Sequence, residues 1–388
     1  MSINAGALPI FLKISTTEKV LTWIGLIGIA VGVVSLVVSL YISMRTPELE
    51  RHRRVRIYAS NNVFILVLLA LLWHFSIGPL LIRLPDDLSD SSVQSGRMTV
   101  LADRVNSGSF PPGETKILIE NEDVSVPSQS DRRMLVVKER VTVRDKNTGQ
   151  VLEGLREPTS YVLDRRTCEN IPGIIHGINR VGYTIMLPML SKKKAYQMWD
   201  DELRRTITAN FVKTDRLDGD RSKGVEVYVY RINGDFEKMV KPPPGAPEFI
   251  TGQEAKEMTG NPRLPVADSA ETKIEYFKRT SATMYVEPKT GTVVNTASHR
   301  DAYYVKNAPG SSPTCMKIAE VAYSTDPTSV KRYIDDGARD RGRIDLDLKW
   351  VPIGLLGWAT VWLALAVFLY HREKRRYSSD AGTGKSDS

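Results

Sequence analysis

Residues capable of acid–base, metal or redox chemistry are few in this 388-residue chain: five histidines, two cysteines and two acidic clusters. Asp200-Asp201-Glu202 and the pair Asp345 and Asp347 carry enough carboxylate to attract calcium. Neither has the alternating Asp/Asn loop with a glycine that cups such an ion, so both are expected to be solvated loop acids. Of His52, His74, His176, His299 and His371, none has a second His or Cys at metal-ligand spacing. There is no GxSxG, P-loop, GxGxxG or CxxC sequence, hence no nucleophile elbow, phosphate cradle or redox pair. The expectation is a protein with no cofactor, no metal and no catalytic site, although a triad assembled in space leaves no local signature.

Where such residues sit depends on three long apolar runs, 21–43, 63–85 and 350–370. Each is about 20 residues or longer, so as a helix it rises roughly 30 Å, the depth of a bilayer core. Arg45, Arg51, Arg53, Arg54 and Arg56 lie between the first two, and His371-Arg-Glu-Lys-Arg-Arg376 follows the third. Lys and Arg beside a membrane helix bias that end to the cytoplasm. The first run is too long for a signal peptide, and Met44-Arg-Thr-Pro47 offers no small-residue cleavage site.

The chain is therefore expected to divide as follows. An external N-terminal stub (1–20) leads into a transmembrane helix (21–43), a cytoplasmic basic loop (44–61) and a second transmembrane helix (62–85). An exoplasmic domain (86–349), a third transmembrane helix (350–370) and a cytoplasmic, disordered tail (371–388) complete it. The fold class is a membrane protein with three transmembrane α-helices plus a large β-rich (α+β) exoplasmic domain, multi-pass in the cell membrane. Gly28 and Gly32, four apart in the first helix, form a candidate helix-packing face. His74, alone in the second, is expected to hydrogen-bond a neighbouring helix rather than relay protons.

A pI near 9.3 and a net charge of +8 invite a nucleic-acid reading that the distribution removes. Residues 86–349 hold 40 Lys+Arg against 39 Asp+Glu, whereas the other 13 basic and 6 acidic residues flank the membrane runs. The basicity reads as topology signal and attraction to anionic headgroups, not as a phosphate-binding face. The partners expected are membrane lipid and an integral membrane protein docking through the first helix, with no nucleic acid.

In the exterior domain, 134–144 and 225–232 are Val- and Tyr-rich strands bounded by turn residues, and 207–213 is expected to pair with the second across a charged loop. Three segments echo one another: Val143-Arg-Asp-Lys-Asn-Thr-Gly-Gln-Val151, Val162-Leu-Asp-Arg-Arg-Thr-Cys168 and Val286-Glu-Pro-Lys-Thr-Gly-Thr-Val293. Each is expected to be a hairpin turn with positive φ at the Gly position, where the second copy has Cys168. Both cysteines fall in the exoplasmic stretch, and an even pair on the oxidising side suits one bridge. A Cys168–Cys315 disulfide is the expectation. Val330, Tyr333, Ile334 and Ala338 follow helical spacing, so 329–341 is expected to be a helix entered from Asp326-Pro327. In 187–200, Tyr196 and Trp199 lie beside three lysines, as core aromatics or as the lining of a ligand tunnel.

Several stretches, taken in order, resemble the PorA family, a domain of unknown function in actinobacterial membrane proteins. They are Tyr161-Val-Leu-Asp-Arg-Arg-Thr167, Leu187-Pro-Met-Leu-Ser-Lys-Lys-Lys-Ala-Tyr-Gln-Met-Trp-Asp200, Gly224-Val-Glu-Val-Tyr-Val-Tyr230, Tyr285-Val-Glu-Pro-Lys-Thr-Gly-Thr-Val-Val-Asn295 and Ala319-Glu-Val-Ala-Tyr-Ser-Thr-Asp326. The resemblance spans about residues 62–370 and implies a domain between two membrane helices. It transfers no catalytic residues, and the helix at 21–43 departs from its pattern. A β-barrel porin would need amphipathic strands and no apolar helices. The expected function is that of a non-enzymatic envelope protein whose exterior domain binds an envelope component, lipid-like in character, or a partner protein. The alternatives are an accessory subunit of a channel or transporter, and a hydrolase with a spatially assembled site.

Overall fold

The computed structural model describes residues 48–100, 113–152, 159–174, 179–240, 242, 246, 248–259, 263, 267–306 and 315–383. The predicted helix at 21–43, with Gly28 and Gly32, lies outside them, as does His176. The chain forms two compact units, a β-rich one over Arg83–Arg341 and a helical one.

The β-rich unit contains β1 (Ser89–Val100), β2 (Gly113–Ser125), β3 (Met134–Asp145), β4 (Thr159–Asp164), β5 (Tyr196–Asp200), β6 (Arg205–Leu217), β7 (Val225–Asn233), β8 (Glu237–Lys238), β9 (Phe249–Thr251), β10 (Glu271–Lys273), β11 (Tyr276–Val286), β12 (Val293–Lys306) and β13 (Cys315–Thr325). All but β9 and β10 join one eleven-stranded sheet, ordered β4-β3-β2-β1-β13-β12-β11-β7-β6-β5 with β8 beside β11. Neighbours pair antiparallel, including the expected β6–β7 hairpin. On β11 burial alternates strictly, with Tyr276, Lys278, Thr280, Ala282, Met284 and Val286 on the covered face. That period of two is what a sheet with one packed face requires.

The two edges of this sheet do not stay open. Asn170 bridges β4 at Leu163, its N–H donates to Gly182 O at 2.8 Å, and Tyr183 exchanges backbone hydrogen bonds with Gln197 and Trp199 of β5. Two extended segments thus link β4 to β5 through an isolated bridge at each edge and one backbone hydrogen bond between them, which closes the hydrogen-bonded path. Closure satisfies edge N–H and C=O groups that would otherwise template aggregation. The helix α2 (Gly252–Thr259) follows β9, and α3 (Pro327–Asp345) follows β13. Asp326 Oδ2 accepts Thr328 N–H at 2.9 Å, capping α3 ahead of a proline at its first turn. Tyr333 and Ile334 of α3 pack on Val225, Val227 and Val294, as the helical spacing anticipated.

The three echoing segments are one turn built three times. Gly149 N–H donates to Asp145 O (2.8 Å), Cys168 to Asp164 O (2.8 Å) and Gly291 to Glu287 O (2.9 Å). In each, the leading carboxylate also accepts two backbone N–H groups, from Asn147 and Thr148, from Arg166 and Thr167, or from Lys289 and Thr290. The closing residue is left-handed each time, with φ of 73°, 62° and 76°. Only glycine takes that backbone without cost. At position 291 it is obligatory for a second reason, because a Cβ there would lie 2.0 Å from Leu187 O.

Cys168 corrects the disulfide expectation: its thiol is free and buried. It sits at the turn after β4, and β13, where Cys315 begins the strand, is four positions away in the sheet order. Four spacings of about 4.8 Å far exceed the Cα separation of about 4.4–6.8 Å that a bridge allows. The sulfur instead packs with Leu84, Leu135, Tyr161 and Leu163, a small apolar filler. Burial pushes its thiol up to about 12.

In the helical unit, α1 (Glu48–Leu72) continues through a π-helical turn at Trp73–Ile77, and α4 (Val351–Thr383) runs antiparallel to it. Arg56 pairs with Glu373 at one end (2.9 Å); at the other, Trp73 Nε1 donates to Asp347 O (2.8 Å) and His74 Nδ1 lies 3.2 Å from Leu348 O, the neighbour-helix contact expected of it. Leu355, Ala359, Trp362 and Ala366 are buried against Ala59, Leu66, Ala70 and Trp73. Steps of four and three along α4 are the seam of a left-handed helix pair, and the alanines let the backbones close up. Apolar spans lie within Arg54–Leu81 and Pro327–Arg375, each long enough to cross a membrane. Two stretches differ from expectation. The chain is already helical at Glu48 inside the basic loop, and helix continues to Thr383 in the tail; across His371–Arg376 the Arg, Lys and Glu residues propagate a helix once it is nucleated. We expect Cys168 to be recovered as a free thiol that a maleimide modifies only after denaturation; rapid labelling of the native protein would contradict its burial.

Candidate functional site

The covered face of β11 carries one residue that alternation alone would forbid. Lys278 is 4% exposed, in phase with Tyr276 and Ala282, and an unpaired ammonium there would be prohibitively desolvated. Its Nζ lies 2.9 Å from Asp200 Oδ2, 2.6 Å from Glu202 Oε2 and 3.4 Å from Asp301 Oδ2. Asp301 also accepts the Thr280 hydroxyl at 2.7 Å and lies 3.0 Å from His299 Nε2. The Tyr303 hydroxyl donates to Glu202 at 3.1 Å. The His299 ring stacks on Tyr323 with centroids 4.5 Å apart.

The elements that place these groups follow from local sequence. Asp200 ends β5, and its Oδ1 accepts Glu202 and Leu203 N–H groups at 3.0 and 2.9 Å. Arg204 then takes φ of 50°, which turns the chain into β6 and directs Asp200 and Glu202 to one side. Asp301 and Tyr303 alternate on β12, and Lys278 and Thr280 on β11. Burial alone would push the Lys278 ammonium down, but the carboxylates of Asp301, Glu202 and Asp200 hold it well above its ordinary value. Burial likewise opposes the charge on Asp301, and Lys278 with His299 outweighs it, holding that carboxyl low.

The sign follows from linkage. Lys278, raised in the fold, contributes stability that is complete below its ordinary value and is lost only as pH rises through the raised one. Asp301, depressed, contributes above its ordinary value and loses this only as pH falls through the lowered one. The arrangement is an ionic clamp tying β5, β11 and β12 across a wide pH range.

The acidic triplet is therefore not the solvated loop it was expected to be. Asp200 and Glu202 serve the clamp, while Asp201 Oδ1 accepts from Arg180 Nε (2.8 Å) and Trp199 Nε1 (3.0 Å). Among the described residues no group of three His, Cys, Asp or Glu is placed to hold a metal ion, and Asp345 pairs with Lys349 instead (3.1 Å). Tyr196 is core, edge-to-face with Tyr183 and Tyr230. Trp199, on the other face of β5, is only half-buried, because successive strand residues point to opposite sides. The sequence reading missed Lys278 altogether. The available signal was a lysine in phase with Tyr276, Ala282, Met284 and Val286.

A second, half-buried charge set crosses β1, β2 and β3. Asp90 lies opposite Asp123, and Asp123 opposite Glu139. Tyr333 donates to Asp90 at 2.9 Å and Tyr161 to Glu139. Burial, then the charges of Glu139 and Asp90, push Asp123 up to about 8.

Replacing Lys278 with Met should strand two buried carboxylates, Asp200 and Asp301, and the half-buried Glu202, and cost about 3–5 kcal/mol in urea unfolding, with part recovered by adding Asp301→Asn; a loss within noise would refute the clamp. Asp123 holds a proton in the fold that the unfolded chain releases between its ordinary value and about 8, so stability should fall as pH rises through that window. Asp123→Asn should flatten the dependence, raising the urea midpoint at pH above 8; an unchanged profile would refute the assignment.

No curated protein matches the chain. The family model for Porin PorA matches residues 63–368. That match runs from the first described helix through the whole closed sheet to α4, well over half of the sequence, and the chain belongs to the PorA family.

Proposed function

We propose that this protein is a non-enzymatic component of the cell envelope, anchored in the membrane by its helices, with residues 86–349 on the exoplasmic side and bound there to an envelope component. The observation that carries the reading is the antiparallel helix pair. It brings Arg56 to the same end as Glu373, so the two basic clusters share one side, and the positive-inside bias assigns that side to the cytoplasm. The helices also present Phe64, Phe75 and Phe368 at 69%, 72% and 62% exposure. Apolar area of that extent suits lipid rather than water. PorA membership supports an envelope location. The near-neutral balance of 86–349 fits an exterior domain that needs no retention by charge.

Single cysteines at Ser128 and Ser379, in a background lacking Cys168 and Cys315, should separate under an impermeant thiol reagent on intact cells. Ser128 is exposed beyond β2 and should label, whereas position 379 should label only after permeabilisation. The opposite pattern would invert the topology. Mass spectrometry of the protein purified in mild detergent should then find a co-purifying envelope molecule, and its absence would argue against the binding role.

A further inference from the structure

The near balance of positive and negative charge in 86–349 conceals a local excess. An open groove of about 610 Å³ lies across β12, β13, β1 and β2. Its lining includes Arg97, Lys116, Lys146 and Arg300 against one carboxylate, Glu114. The register places them on one cross-strand row. Arg300 is opposite Ala322, Ala322 opposite Arg97, and Arg97 opposite Lys116; Lys146 N–H then donates to Lys116 O at 2.8 Å. With strands about 4.8 Å apart, four cations fall within about 20 Å.

Like charges directly opposite in a sheet are destabilising, and the same face of β2 avoids them elsewhere. Glu122 stands opposite Arg140 and pairs with it at 3.6 Å, and Glu120 pairs with Arg144 at 3.1 Å. Only at this row does a cation face a cation. Glu114 reaches Arg97 at 3.9 Å, and Glu320 holds Arg300 at 3.1 Å. Among the described residues Lys116 and Lys146 have no carboxylate within ion-pair distance. Ser95, Ser324 and Ala322 line the groove beside Tyr323 and His299, and at Gly96 the strands approach so closely that a Cβ would lie 2.1 Å from Ala322 O.

We propose that this groove binds a ligand carrying two or more phosphate groups. Guanidinium forks and ammonium groups are the side chains that recognise phosphate oxygens, and the serine hydroxyls supply neutral donors beside them. Lys116 and Lys146 are the cations without a carboxylate, and with the two guanidinium groups the row extends over about 20 Å, farther than one phosphate reaches, so it fits a ligand with several. Such phosphates belong to a membrane-lipid headgroup or to a free oligophosphate. The lipid source rests on the membrane reading above; the phosphate chemistry does not.

The test is isothermal titration of the full-length protein in nonionic detergent with two soluble probes. One is inorganic tripolyphosphate, and the other is bis(glycerophospho)glycerol, the deacylated headgroup of a two-phosphate lipid. At least one should bind, and raising salt from about 50 to about 300 mM should weaken it by screening. Arg97→Gln with Lys116→Gln should lose at least tenfold in affinity. Lys146→Gln, in an exposed turn, should lose severalfold, and it decides the matter if the double variant does not fold. Arg166→Gln with Lys223→Gln, the same charge change outside the groove, should bind as the parent does. The probe that binds more tightly identifies the source. Binding of neither probe, or equal weakening by the control pair, would overturn the proposal without touching the cysteine-labelling result.

Discussion

A sheet of ten sequential neighbours has two edges, and everything in the β-rich unit depends on how they are satisfied. The hydrogen bonds at Asn170, Gly182 and Tyr183 join β4 to β5 and give the sheet a continuous covered face. Along that face the hydrophobic clusters around Leu163, Met98, Tyr303 and Tyr196 follow one another. A closed, covered face excludes water, and exclusion of water makes the Lys278 clamp both necessary and strong. In a half-open sheet the same lysine would be a surface charge worth little.

The thrice-built turn shows how one solution is adapted to three surroundings. Its carboxylate, its left-handed closing residue and its backbone hydrogen bonds are constant, and only the outward contact changes. At Gly291 the chain at Leu187 docks onto the turn, with Leu187 N–H donating to Gly291 O at 2.9 Å. At Cys168 the closing residue faces an apolar cluster, and a sulfur fills space that glycine would leave empty. Beside it Arg165, 2% exposed, donates to Leu84 O and Asp131 O and pairs with Asp86. It ties the turn to the segment entering β1. The left-handed strain at Cys168 is offset by this packing.

The helical unit obeys a different solvent logic. Its seam is narrow and rich in alanine, and between the charged ends the rest of its surface is mostly apolar. In the proposed setting lipid covers that surface, and packing rather than hydrophobic burial holds the pair together. The π-helical turns at Trp73–Ile77 and Leu346–Trp350 lie at the same end of the pair. There the backbone carbonyls of Asp347 and Leu348 take up the Trp73 and His74 side chains.

Periodicity and turn chemistry were enough to determine local elements. The 225–232 strand, the α3 face and the three positive-φ turns all follow from spacing and residue type, because those preferences act within a few residues. What only the tertiary structure decided are the pairings across distance. Asp200-Asp201-Glu202 looks like a hydrated loop until Lys278, 78 positions later, arrives opposite it. Cys168 and Cys315 look like partners until the strand order sets them four positions apart. Arg97, Lys116 and Arg300 look like scattered charges in a balanced domain until register aligns them in one row. Sequence carries the propensity of each residue, but the sign of a charge's neighbour is set by which strands lie side by side, and that is fixed by closure of the whole sheet.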